Sequence, residues 1–334
     1  MHVLATGVAG FAGHHLVEHL LRQTDWRITG LVSFKHQGCP RRLTHLHPND
    51  RLRILYSDLA SPITPRTIDA IGPVDVVINA AAQSHVDRSI SDPVPFVVNN
   101  VAVALHMLEF ARIAKPKVFL QVSTDEVYGP APPAYAHREW DVAIPSNPYS
   151  ASKAAQEAIA ISYWRTYDVP VVITNTMNLI GERQDVEKFV PMTIAKVARG
   201  EEVAIHGSPP NIGSRFYLHA RNWADAHRFL ALRSPARYVD PAAGGAAVQA
   251  PDRWHVVGER EVTNLEMAER IASFVGKPLL KRFEDFHATR PGHDRRYALD
   301  GAKLHDAGWT LPVPLDESLE RTVRWTLAHP EWMR

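Results

Sequence analysis

Cysteine is almost absent: Cys39 stands alone among 334 residues. A single thiol excludes an internal disulfide framework and a multi-cysteine zinc site. Excess charge of either sign is absent too. The 37 Lys and Arg against 36 Asp and Glu give a net +1, which leaves no electrostatic footprint for nucleic acid or an anionic membrane. The chain opens Met1-His2-Val3-Leu4-Ala5, without the basic region and apolar segment of a signal peptide, and no apolar run reaches the length of a membrane span. The expectation is a cytoplasmic protein that binds neither nucleic acid nor membrane. The 18 histidines are scattered. His14-His15 lacks the i, i+4 spacing of a helical ligand pair and reads as solvated, so no metal site is expected.

What is present is ordinary in bulk, with 45% hydrophobic and 22% charged residues, and ordered in detail. The length suits two lobes rather than one core. Short apolar runs at Val3–Thr6, Ile28–Val32, Leu52–Tyr56, Val74–Asn79, Val118–Val122 and Val171–Thr174 alternate with helical patterns at His14–Arg22, Phe96–Ala114 and Tyr149–Tyr167. Continuous apolar strands separated by helices predict a parallel sheet covered on both faces, a Rossmann-like doubly wound α/β fold. After residue 176 the alternation loosens, and "HGSPPNIG" and "DPAAGGAAVQAP" read as loops. The expected division is a dinucleotide-binding domain over 1–177, rejoined by 214–245, with a smaller substrate lobe from 178–213 and 246–334.

"ATGVAGFAGHHL" places Gly7, Gly10 and Gly13 after a strand and at the start of a helix. Glycines there let the backbone turn tightly and approach a pyrophosphate at the helix N-terminus. Asp58, ending the third strand, is a candidate acceptor for an adenine amino group. The acid that usually holds the ribose 2′-hydroxyl is replaced by Ser33, with Lys35, Arg41 and Arg42 nearby. That combination leaves NADP as an alternative to NAD.

"NPYSASKAAQEAI" sets Tyr149 and Lys153 one helical turn apart. An ammonium near a phenol lowers the tyrosine pKa from about 10 toward working pH. Such a base can take a proton from a sugar hydroxyl as hydride leaves for a nicotinamide. Between these motifs lies "QVSTDEVYGP", with Asp125 and Glu126 adjacent at the end of an apolar strand. Carboxyls that share a pocket repel, which raises one pKa and separates the two protonation states.

With "TGVAGFAG", "AAAQSHVDRSI", "STDEVYG", "NPYSASKA" and "RPGHDRRYALD" together, the chain resembles the extended short-chain dehydrogenases/reductases and, among them, the nucleotide-sugar 4,6-dehydratases. The Asp-Glu pair is the narrow signature, since most epimerases and reductases of the superfamily lack it. The resemblance implies that Tyr149 deprotonates the C4 hydroxyl, Thr124 bonds the C4 oxygen, Glu126 removes the C5 proton and Asp125 protonates the departing C6 hydroxyl. It also implies cofactor contacts from Phe11, Leu59, Ala80, Ala81, Ala82, Asn100, Val122 and Asn178. Ser84, His85, Val86 and Asp87 are implied near the sugar and nicotinamide. Asn178, Glu187, Lys188, Phe189, Pro191, His206, Arg215, Arg290 and His293 are implied toward sugar, diphosphate and base. A homodimer through the helices at Phe96–Ala114 and Tyr149–Tyr167 follows by the same resemblance. The first-choice substrate is dTDP-glucose; a UDP-, GDP- or CDP-sugar, or 4-epimerase chemistry, is the alternative. The chain departs from the family pattern at Gln83, at "GERQ" and at "RFYLHARN", where the nucleotide is expected.

Overall fold

A computed structural model describes residues 1–236, 250–285 and 294–334. The large sheet is built from β1 (His2–Thr6), β2 (Arg27–Val32), β3 (Leu52–Tyr56), β4 (Val76–Asn79), β5 (Val118–Thr124), β6 (Val171–Thr176) and β10 (Asp252–Val256). The order is β10-β6-β5-β4-β1-β2-β3, with every neighbouring pair parallel. Alternate strand residues feed opposite layers. Val3, Ala5, Ile28 and Ile78 pack with α1 (Phe11–Gln23) and α7 (Ala220–Ala231) on one face. Leu4, Val77, Phe119 and Ile173 pack with α4 (Pro93–Ala114) and α5 (Pro148–Tyr167) on the other. Shorter helices α2 (Pro65–Ile71) and α3 (Val86–Ser91) connect the strands on that side. Chain direction across the sheet reverses between β1 and β4, the crevice where such sheets hold ligands.

The second lobe stands on α6 (Phe189–Arg199), α8 (Asn264–Val275) and α10 (Leu315–Ala328), with α9 (Ala302–Asp306) returning to β10. Val190, Ile194, Met267, Ile271, Leu319 and Val323 close its core. Two small sheets complete it: β7 (Asn178–Ile180), β9 (Ser214–His219) and β11 (Glu261–Thr263) in the order β11-β9-β7, and β8 (Val203–His206) beside β12 (Lys281–Glu284).

Four expectations are corrected here. Residues 252–256 do not belong to the substrate lobe; β10 pairs with β6 and widens the large sheet. In the returning segment, α7 packs on the large sheet while β9 lies in the small one. His14 and His15 are buried rather than solvated, their rings 4.0 Å apart and tilted by 42° on the inner face of α1. The fourth concerns length: α4 has 22 residues at mean hydropathy 1.5, long and apolar enough to cross a membrane, with under half of that stretch buried. Its inner face packs on α5, while Val94, Val98, Leu105 and Ile113 are exposed. The two prolines at its start extend it three residues beyond the periodic apolar pattern, because proline suits a first helical turn.

Candidate active site

A cavity of about 680 Å³ runs from the switch point of the large sheet to α6 and β8 of the lobe, a size suited to a ligand larger than a single sugar. Its floor at one end is the glycine turn. Gly7 has φ +70°, and a Cβ there would lie 3.0 Å from Ala81 Cα. A Cβ on Gly13 would come within 2.1 Å of Gly7 O, so only glycine lets α1 start this close to β1. Helix α1 begins without a side-chain cap and without an acidic residue in its first turn. Its free N–H groups and dipole therefore face the cavity, a fit for a pyrophosphate.

Ser33, Lys35, Asp58 and Leu59 line the far side of this end. The basic residues offered for a 2′-phosphate are engaged elsewhere. Lys35 ion-pairs with Asp58. Arg42 is fully buried and donates to Arg183 O at 3.0 Å and Gln37 O at 2.7 Å, with Asp185 Oδ1 at 2.8 Å. Arg41 lies over the Trp332 ring at 5.2 Å. Arg42 instead ties the glycine loop, through Ala9 O, to the "GERQD" segment.

Thr124, Asp125, Glu126, Tyr149 and Lys153 share the central wall. β5 ends at Thr124, and a single 3-10 turn, Asp125–Tyr128, carries both carboxyls. Asp125 Oδ1 accepts from Thr124 Oγ1 at 2.8 Å, while its Oδ2 is buried without a partner. Burial and the adjacent Glu126 raise the Asp125 pKa to about 7. Glu126 is supported differently: its Oε2 accepts from Asn147 Nδ2 at 3.2 Å and from the Tyr297 hydroxyl at 3.4 Å. One carboxyl is thus held near neutrality as a proton donor, and its neighbour is ringed by donors that suit an anion.

Tyr149 departs from expectation. Its pKa is raised, by burial and by the Glu126 charge, with a hydrogen bond to Thr124 acting the other way. Lys153 does not donate to the phenol; its Nζ donates to Val122 O at 2.7 Å and Gln156 Oε1 at 2.6 Å. Burial also lowers the Lys153 pKa, to about 8, against the pull of Glu157. The i, i+4 spacing brings the two residues to one face but does not by itself pair them.

Ala80, Ala81, Ala82, Val122 and Asn178 line the cavity. Asn100 does not. It is fully buried behind the wall, donating to Gln83 O at 3.0 Å and Ser152 Oγ at 2.9 Å. Ser84, His85, Val86 and Asp87 form one lip. Glu187 crosses to that lip, with Arg88 Nη2 at 2.8 Å and His85 Nε2 at 3.5 Å, and also accepts from Gln37 Nε2 at 3.0 Å. Lys188 Nζ donates to Ser84 O at 3.1 Å. Phe189 and His206 line the lobe end, whereas Pro191 is buried inside α6 and away from the cavity. Arg215 lines the cavity beside the carboxyls. It donates to Ser214 O and Arg295 O at 2.7 Å and Asp294 O at 2.6 Å, and stacks on Tyr297. Arg290 and His293 lie outside the described residues. Among the described residues no cluster of His, Cys, Asp and Glu suited to a metal is present.

The family model of the NAD dependent epimerase/dehydratase family matches residues 3–240. The chain belongs to this family. It is 35% identical over 99% of its length to the low-salt glycan biosynthesis protein Agl12 of Haloferax volcanii, all of which is covered. Among solved structures it is similar to the dTDP-glucose 4,6-dehydratase DesIV of Streptomyces venezuelae with NAD bound, at TM-score 0.84 and 30% identity, covering 99% of this chain and 98% of that one. It is also similar to the UDP-glucose 4-epimerase of Thermus thermophilus in complex with NAD, at TM-score 0.81 and 25% identity, covering 98% of this chain and all of that one.

Sequence reasoning missed Asn147 and Tyr297, the two side-chain donors to Glu126 among the described residues. Asn147 had a readable signal: Asn followed by Pro is a helix-start pair, and it caps α5 with Ser150 N donating to Asn147 Oδ1 at 2.9 Å. Tyr297 had none beyond its place in "RRYALD", since its contact spans 171 residues of sequence.

Proposed function

We propose that this protein is a nucleotide-sugar 4,6-dehydratase, with dTDP-glucose the first substrate to test. The observation that carries the reading is the asymmetry of Asp125 and Glu126 on the wall shared with Tyr149 and Thr124. A 4-epimerase needs only a base and a hydride acceptor at C4; it has no use for a buried carboxyl of raised pKa beside a second one held by hydrogen-bond donors. Similarity to a dTDP-glucose 4,6-dehydratase over nearly the whole chain supports the same reading.

Under this reading Tyr149 relays the C4 hydroxyl proton, with Thr124 as its hydrogen-bond partner and Lys153 as the nearby cation. NAD, when bound by the glycine turn, Asp58 and the Ala80–Ala82 strand end, supplies the hydride acceptor for C4 and the hydride donor for C6. Glu126 takes the C5 proton, made acidic by the C4 carbonyl. Asp125, held protonated, gives its proton to the C6 hydroxyl, which leaves as water. NAD is preferred over NADP because Lys35, Arg41 and Arg42 are already committed.

The exposed apolar side chains of α4 support a homodimer through α4 and α5. A two-fold contact of this kind is self-complementary. Incubation with dTDP-, UDP-, GDP- and CDP-hexoses tests the activity. A 4-keto-6-deoxy product supports the dehydratase; a C4 epimer with C6 unchanged supports the epimerase instead.

A further inference from the structure

Behind the site lies a buried ion pair that the reaction does not use. Glu157, on α5 one turn beyond Lys153, and Arg253, on β10, are each almost fully buried and meet at 2.7 Å between Oε2 and Nη2. Neither lines the cavity. Glu157 Oε1 accepts from Asn175 Nδ2 at 2.8 Å, and the same nitrogen donates to Thr124 O at 3.0 Å. Arg253 Nη1 donates to the Tyr128 hydroxyl at 3.0 Å, in the turn that carries Asp125 and Glu126. Its guanidinium also lies 4.2 Å over Trp140.

We propose that Glu157, clamped by Arg253, is a positioning residue: it keeps the Lys153 ammonium charged and fixes the helix of Tyr149 and Lys153 against the turn of Asp125 and Glu126. The inference rests on the dehydratase reading for its kinetic test only. Burying two charges costs several kcal/mol, and apolar residues hold helices together as well. A pair kept there, one turn from the site's lysine, serves orientation and charge. The groups facing it are few. Lys153 shares its helix, and Tyr128 faces it from the turn; Glu139 and His255 lie beyond Tyr128, whose hydroxyl donates to Glu139 O at 2.9 Å and lies 2.8 Å from His255 Nε2. Among the described residues, Glu157 is the charged group that opposes the effect of burial on Lys153.

Two measurements test this. With dTDP-glucose in a Glu126→Gln background, where reduced nicotinamide reports C4 oxidation without the Asp125 step, the alkaline limb of the oxidation rate moves down by about one pH unit when Glu157→Gln is added, because a neighbouring opposite charge favours the ammonium by about that much. Glu157→Asp, which keeps the charge, leaves that limb in place. Without substrate, melting is followed from pH 6 to 9. Lys153 titrates lower in the folded protein than in the unfolded chain, so stability rises with pH between the two values. Removing Glu157 opens that window at lower pH, and the melting deficit of Glu157→Gln narrows as pH rises toward 8. Where Glu157→Gln does not fold, the double variant Glu157→Leu, Arg253→Met replaces the pair by apolar groups and shows the same shifted limb. An unmoved limb, with a melting deficit constant in pH, overturns the proposal. If the native protein leaves dTDP-glucose unchanged, the dehydratase reading fails, and the melting series still decides this inference.

Discussion

Asn147 holds Glu126 and the start of the Tyr149 helix at once: its Nδ2 donates to Glu126 Oε2 at 3.2 Å while its Oδ1 accepts from Ser150 N at 2.9 Å. The elimination base and the C4 proton relay therefore share one anchor. Asn147→Ser keeps a good helix cap and loses the donor to Glu126. It is expected to melt within about 1 kcal/mol of the native protein. Product formation should fall about tenfold or more, the worth of a hydrogen bond to a charged group. Melting and product formation measured side by side check this, and unchanged turnover contradicts it.

Asp125 gives a pH dependence. Its pKa in the fold is about 7, raised by burial and by Glu126, and the reaction uses the protonated form. Elimination should fall as pH rises through 7 in the kcat/KM profile. For stability the sign is the same: between the unfolded value near 4 and the folded value, the unfolded chain loses the proton first, so stability drops as pH rises. Asp125→Asn is expected to melt higher than the native protein at pH 8, by about 2 °C or more, and to form little product. A lower melting temperature at that pH contradicts the raised pKa.

The cofactor is a direct chemical question. Denaturing the purified protein and identifying the released dinucleotide should give NAD. Lys35→Ala should not change the preference, because Lys35 serves Asp58. Released NADP contradicts the assignment of these basic residues.

Assembly is tested on the outer face of α4. Val98 is 62% exposed and Leu105 37% exposed. The native protein should scatter light as a dimer at micromolar concentration, and Val98→Glu with Leu105→Glu should scatter as a monomer. A native monomer mass contradicts the dimer.

The features legible in the sequence are those whose residues are near each other along the chain. The glycine turn, the Tyr149–Lys153 spacing and the Asp125-Glu126 pair each fall within one local segment, and periodicity located six strands of the large sheet. The rest depends on distant partners. Residues 252–256 read as part of the lobe because their pairing with β6 crosses more than 70 residues. Arg42 reads as a phosphate binder until the fold buries it against a segment 141 residues away. Tyr149 reads as a lowered phenol because spacing shows the lysine but not its turn toward Val122 and Gln156. Asn100 and Pro191 lie beside cavity residues in sequence, yet helix geometry points them inward.

The central claim is that Glu126 removes the C5 proton after C4 is oxidised. Glu126→Gln, given dTDP-glucose, measures it most directly. The account predicts rapid appearance of reduced nicotinamide absorbance that persists, with product formation slowed about 10²–10⁴-fold, the usual cost of one general base. Tyr149→Phe should show no such absorbance. Turnover of Glu126→Gln at the native rate would contradict the account and leave the 4-epimerase as the better reading of the site.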